Sequence, residues 1–226
     1  MLDVVILIIL LLFAIAGSKR GIISTVMAFL STLGALILAF IVYPVVNMIL
    51  KLTPIYVRIH DKVAEKISGI DFGTTIQAQN NVIKNSLDWL PNFVGEVLIQ
   101  NNSETAYQTL GVQNIIDYIS LSVTNIIVAL IALLITWIVL KCILVGGITR
   151  FGKMVANLPV ISSIDHIGGF ALGIIKGLIT LWIISLILPL VMTSIGSIDT
   201  YIEGTTLCKW LYENNFVLMI FENIFG

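Results

Sequence analysis

Charge is scarce in this sequence. Lysine, arginine, aspartate and glutamate make up 11% of 226 residues, where a soluble domain carries about 25%. So few charged groups cannot clothe a globule of this size in water-loving surface, which excludes a soluble fold. The charges nearly cancel, to a net -1, so no polyanionic partner such as nucleic acid is expected. The two cysteines, Cys142 and Cys208, stand far apart with no CxxC and no neighbouring histidine. Neither a disulfide framework nor a metal site is expected, and both are read as free thiols. The two histidines, His60 and His166, accompany no Gly-x-Ser-Gly step, and no phosphate-binding loop is present. Asp3 and Asp165 are expected at opposite faces of the membrane, too far apart for a facing aspartyl pair. No enzyme class is supported, and no cofactor is expected.

Hydrophobic residues, by contrast, reach 58% and gather into four runs, at about 2–17, 22–50, 120–145 and 164–192. A bilayer helix needs about 17–25 apolar residues. The first run is therefore short, whereas the second and fourth are long enough to tilt or bend. The expected fold is all-α: a polytopic membrane protein, one membrane domain over 1–226, with four hydrophobic helical segments. Amphipathic helices are expected in a loop at 51–118 and a tail at 193–226. Pro44 either kinks the second span or marks where it leaves the bilayer. Ala14-x-Ala16 resembles a signal-peptidase site, but the basic pair follows the first run instead of preceding it, so an uncleaved span is expected.

Basic residues in short loops set orientation. Lys19 and Arg20 separate the first two runs; Lys141, Arg150 and Lys153 flank the third-to-fourth connection, opposed only by Asp165. In 51–118 acidic residues outnumber basic ones, and the tail has Lys209 against Asp199, Glu203, Glu213 and Glu222. The short basic loops are expected in the cytoplasm of a bacterial cell, with both termini and the long loop outside.

The long loop is patterned. Ile59, Val63, Ile67 and Ile70 recur at helical spacing, with Asp61, Lys62, Glu65 and Lys66 opposite. "NNVIKNSLDWLPNFVGEVLI" is a second apolar-patterned stretch, interrupted at Pro91. These helices either lie on the membrane or pack into a small cap; they cover helix ends or dock an envelope or secretion partner. The tail places Trp210, Tyr212, Phe216, Phe221 and Phe225 among scattered charges, which suits an interface. "GGITRFGKMVANLP" sets Ile148, Phe151, Val155 and Leu158 on one face and ends at Pro159. It reads as an interfacial connector whose Arg150 and Lys153 meet anionic lipid.

One pattern occurs twice. "GSKRGIIS" and "GIIKGLIT" share Gly-x-x-basic-Gly-aliphatic-aliphatic-hydroxyl, aligning Gly17 with Gly173, Arg20 with Lys176 and Gly21 with Gly177. The first copy, with Lys19 beside Arg20, suits a headgroup-level turn. In the second, Lys176 lies about 18 Å along a helix begun at Ile164. An ammonium near mid-bilayer costs about 2.5–3.5 kcal/mol. Three arrangements relieve that cost: Lys176 snorkels to the surface, the 165–175 segment lies shallow or re-enters, or Lys176 pairs in a polar interior. Gly169, Gly173 and Gly177 form a ridge that admits close helix approach. Ser24, Ala28, Ser31, Ala35 and Ala39 make a small-residue face on the second span that could receive it; a homo-oligomer through the ridge is the alternative. Ser162-Ser163-Ile164-Asp165 resembles a capping box, which makes Asp165 a helix-start residue.

These residues resemble the bacterial colicin V production protein (CvpA) family. The resemblance rests on Asp3, a short first span, Arg20-Gly21 opening the second, and above all Asp-x-x-x-Gly-x-x-x-Gly-x-x-basic-Gly, met by Asp165, Gly169, Gly173, Lys176 and Gly177. It covers the hydrophobic framework, about two thirds of the chain. It implies a multi-span inner-membrane protein needed for colicin V production or export. Some relatives add an extracytoplasmic protease, which has no counterpart here. Lys176 stands where many relatives have arginine, so a bidentate contact is not carried over. The resemblance implies a process, not a chemical activity.

Overall fold

The structure is a computed structural model that describes residues 2–87, 89–155, 162–187 and 205–225. Every regular element among them is helical. In chain order they are α1 (Leu2–Arg20), α2 (Ile22–Lys51), α3 (Pro54–Ile67), α4 (Ile76–Ser86) and α5 (Asn92–Gln100). There follow α6 (Glu104–Leu110), α7 (Ile115–Val155), α8 (Ser162–Ile184) with a 3-10 turn at Ser185–Ile187, α9 (Leu207–Glu213) and α10 (Phe216–Phe225). Four stretches are long and apolar enough to cross a membrane: Leu2–Arg20, Ile22–Lys51, Ile115–Leu144 and Asp165–Ile184. The expected all-α, multi-span class is the observed one.

The helix ends differ from the apolar runs in instructive ways. α1 carries on through Lys19 and Arg20, because two cations in a last turn meet the negative end of the helix dipole. α2 continues past Pro44 to Lys51. The backbone of α7 stays helical to Val155, so the first part of the expected connector extends the third span instead of starting afresh. The side chains of Ile148, Arg150, Phe151, Lys153 and Val155 lie outside the described residues, as do Leu158 and Pro159.

Packing divides the chain into two compact units, to which α2 and α7 both contribute. The first comprises Met1–Val46, Leu133–Ser185 and Thr205–Asn214. On α1 and along much of α2 the soluble pattern is reversed, although α2 also buries Leu36 and Tyr43. On α1, Val4, Leu7, Ile8, Leu11 and Leu12 are exposed, while the buried residues are Ala14 and Gly17. On α2, Leu30, Ile37 and Ile41 are exposed, whereas Thr25, Ser31, Thr32, Ala35 and Ala39 are buried. Without water to drive apolar groups together, membrane helices meet on small and hydroxyl residues and give their large aliphatic side chains to lipid.

The second unit comprises Asn47–Ala132, Leu186–Gly204 and Asn215–Gly226. Here α3 buries Ile59, Val63 and Ile67, the face its spacing predicts, and Ile70 falls beyond the helix end. Of the two arrangements open for this segment, the structure shows helices packed on a core of their own. Phe72, Ile83, Trp89, Val94 and Leu98 are all buried. Pro91 ends nothing by accident: it is the N-cap residue of α5, where its missing amide costs no helical hydrogen bond. Lys66, assigned to the polar face, lies over the Trp89 ring at 4.5 Å from its centroid. A polar network ties the short helices together. Asn102 Nδ2 donates to Gln79 Oε1 (3.1 Å) and to Asn80 Oδ1 (2.8 Å), and its Oδ1 accepts from the Tyr107 hydroxyl (2.9 Å). Buried amides survive only when partnered in this way. In α10, Phe221 is fully buried and Phe216 exposed, and Asn215 Oδ1 caps the helix by accepting from the Val217 and Leu218 amides.

Candidate functional site

The glycine ridge of α8 is covered, and the helix that covers it is α1. The two run antiparallel: Gly169 and Gly173 face Gly17, Gly173 also faces Phe13 and Ala14, and Gly177 faces Phe13 and Leu10. A Cβ at Gly173 would lie 2.9 Å from Ala14 Cα, and one at Gly17 would lie 3.0 Å from Gly173 Cα. The seam is backbone against backbone, which no residue larger than glycine permits. This corrects the expectation that the ridge meets the small-residue face of the second span. On that face Ser31, Ala35 and Ala39 are buried, but Ser24 is exposed. The surface expected for a homo-oligomer is therefore occupied within one chain. α8 lies along α1 and is unbroken at Gly177, so the 165–175 segment is continuous with the helix that follows it.

The stretch "GSKRG" turns out to be a one-residue joint. α1 ends at Arg20, α2 begins at Ile22, and Gly21 between them has φ +77°, a region that disfavours any side chain. The start of α8 holds this joint from outside. Asp165 Oδ1 accepts from the Ile22 amide at 2.6 Å, and a Cβ on Gly21 would fall within 2.7 Å of the Asp165 carboxyl carbon. The neighbouring His166 Nδ1 lies 2.7 Å from the Ser18 carbonyl oxygen. A carbonyl only accepts, so Nδ1 carries the proton and donates. Asp165 does stand in the first turn of α8. Its carboxylate, however, caps a different helix, giving α2 the N-terminal acceptor its own sequence lacks. The Ser162 and Ser163 side chains of the expected capping box lie outside the described residues.

Asp3 does the same at the other end of α1. Its Oδ2 accepts from the Thr206 amide (2.9 Å), and its Oδ1 from Leu207 (3.1 Å) and Cys208 (2.9 Å). These amides open α9, whose N-cap Thr206 makes no side-chain capping bond. Sequence reading noticed Asp3 but gave it no partner; the signal was a lone carboxylate in the first turn of an otherwise apolar run. Thr25 was likewise missed. Its hydroxyl donates to the Gly21 carbonyl (2.7 Å) and reaches the Gly17 carbonyl (3.1 Å), closing the backbone around the joint.

The two copies of the repeated pattern meet face to face. Gly17 touches Gly173, and Arg20 and Lys176 line one cavity of about 140 Å³ together with Phe13, Ala16, Gly17, Thr25, Ala28 and Gly173. Helical side chains lean toward their own N-terminus, so Lys176 points along α8 toward the Arg20 end. That is the snorkelling direction. The ammonium lies 5.8 Å from the Phe13 ring centroid, and no carboxylate lines the cavity. Lys176 is thus half-buried without an acidic partner among the described residues. Lys19 is exposed and is not part of the cavity.

Four bilayer-length helices, of which α1 and α8 close on a glycine seam and α8 caps α2 through Asp165, define a multi-span helical membrane protein. Residues 2–77 match the family model described as Colicin V production protein, the family to which the resemblance pointed. That match takes in Asp3, the Arg20-Gly21 joint and α3; the Asp165–Gly177 segment lies beyond it. No curated protein and no solved structure matches the chain.

Proposed function

We propose that this chain is a non-enzymatic accessory protein of the bacterial cytoplasmic membrane. It serves as a scaffold in the production or export of a colicin V-like toxin and in envelope homeostasis. The observation that carries this reading is the use made of the motif residues. Gly17, Gly21, Gly169, Gly173, Gly177 and Asp165 all close or cap helices. They build a frame, and among the described residues no nucleophile and base converge beside them. The folded helical unit formed from 47–132 supplies a surface of the kind a protein partner reads. Orientation follows the positive-inside rule: Lys19 and Arg20 face the cytoplasm, and both termini and the 51–118 segment face out. The antiparallel α1–α8 seam sets the basic end of α1 beside the start of α8, so the two lie on the same side of the membrane.

The test is in two parts. Site-specific photo-crosslinking from exposed positions such as Glu65 and Glu104 in growing cells is expected to trap a discrete envelope or secretion protein. Purified protein in liposomes is expected to leave solute permeability unchanged. Flux carried by the protein alone overturns the scaffold. The half-buried Lys176 on a cavity favours one alternative, a small channel or transporter subunit, whose flux changes on Lys176→Ala.

A further inference from the structure

Arg20 and Lys176 present an unsolved charge problem. Both line the same small cavity and both are cationic, so they repel one another. Asp165 does not line the cavity, and its Oδ1 accepts from the Ile22 amide. The Thr25 hydroxyl is turned to the Gly17 and Gly21 carbonyls, so the free donors of the cavity are those of Arg20 and Lys176. The Phe13 ring gives Lys176 partial relief on one side only.

We propose that the cavity between Arg20 and Lys176 binds a phosphate group, carried by an anionic lipid or present as a free phosphate ion. Charge sign selects an anion. Size selects a small one, since about 140 Å³ falls below the roughly 300 Å³ at which drug-sized pockets begin. Chemistry selects a tetrahedral oxyanion: a planar guanidinium fork takes two oxygens, and an ammonium takes a third from the opposite wall. Arg20 ends its span, so the cavity meets the depth at which headgroup phosphates lie, and water reaches it too. Helix packing leaves the cationic pair of the repeated pattern unexplained. The inference goes beyond the scaffold reading and does not depend on it.

The experiment uses the full-length protein in nanodiscs of phosphatidylcholine, of phosphatidylcholine with added phosphatidylglycerol, and of phosphatidylcholine titrated with inorganic phosphate. The thermal unfolding midpoint is read in each. Wild type is expected to be stabilised in at least one of the last two. Arg20→Gln and Lys176→Gln are each expected to weaken the apparent affinity about tenfold or more, the loss of one charge-assisted contact. Lys19→Gln, an exposed neighbour of equal charge, is expected to retain it, and Lys176→Arg to restore it. Stabilisation by phosphatidylglycerol alone assigns a lipid phosphate; stabilisation by inorganic phosphate assigns the free ion. No stabilisation by either, or an equal loss in Lys19→Gln, overturns the site. Should Lys176→Gln fail to fold, Arg20→Gln decides, because Arg20 is exposed at a helix end.

Discussion

Asp3 and Cys208 are separated by 205 positions, yet the Asp3 carboxylate accepts a 2.9 Å hydrogen bond from the Cys208 amide. With the Thr206 and Leu207 amides it forms the start of α9 out of the first turn of α1. Asp3→Ala leaves three amides without their acceptor, and the tail helix is expected to fray. The readout is maleimide labelling of Cys208 in membranes, several-fold faster in the variant. Asp3→Asn, which keeps one acceptor oxygen, is expected to fall between. Unchanged labelling in both variants would show that α9 is held by its apolar contacts alone.

The Cys208 thiol also predicts a pH dependence. Burial pushes it above the usual thiol range; a Thr205 hydrogen bond opposes this and the Asp3 charge adds to it. A raised value means less thiolate at neutral pH and slower labelling than a free cysteine shows. The rate is expected to climb with pH to a midpoint above the ordinary one, and Asp3→Asn is expected to bring that midpoint down. The same shift makes stability fall as pH rises from the unfolded thiol's value through the folded one, since the folded state holds the proton longer. A labelling profile matching that of unfolded protein would contradict this.

The α1–α8 seam and the free glycine Gly34 make a matched pair of tests. At Gly173 a side chain meets the Phe13 and Ala14 backbone, which cannot swing aside. Gly173→Val is expected to cost at least about 1–3 kcal/mol, as overpacking does, and to separate the helices. At Gly34 nothing lies within 4 Å of an added Cβ. Gly34→Ala is expected to gain about 0.5–1 kcal/mol from helix propensity. Unfolding in detergent titrations distinguishes the two, and equal effects would remove the seam from the account.

The Gly21 joint predicts a hierarchy. Gly21→Ala brings both a left-handed backbone penalty of about 1–2 kcal/mol and a clash with the Asp165 carboxylate. Asp165→Ala removes the α2 cap, at about 0.5–2 kcal/mol. In the double variant the clash disappears, so its cost is expected to be less than the sum of the two. Additive costs in the cycle would mean that the two residues do not touch.

What the sequence made legible was whatever periodicity and composition encode. The class follows from run length, and the buried face of α3 follows from the spacing of Ile59, Val63 and Ile67. The Gly169–Gly173–Gly177 ridge was readable as a seam because glycine at every fourth position has few other uses in an apolar helix. Its partner was not readable. Gly17 is a lone glycine on α1, with no glycine repeat of its own to mark a ridge, and only the antiparallel register against α8 shows that Gly17, Ala14 and Phe13 complete the contact. The partners of Asp3 and Asp165 were hidden for the same reason, since a carboxylate capping a distant helix leaves no local spacing behind. Pairing within the core of 47–132, such as Asn102 with Gln79 and Tyr107, equally depends on contacts between separate helices.

The contact between the first long helix and the last has a consequence for biosynthesis. α1 emerges from the ribosome long before residues 165–177 exist, so its glycine and its neighbour's uncapped Ile22 amide wait in the membrane for most of translation. Closure is late and non-local, and that is slow by nature. A nascent chain halted after α7 would hold α1 with no companion for Gly17 and no carboxylate for the joint. The Asp165 carboxylate and the α8 glycines arrive together, so the cap on the joint and the seam beside it are completed in one late step.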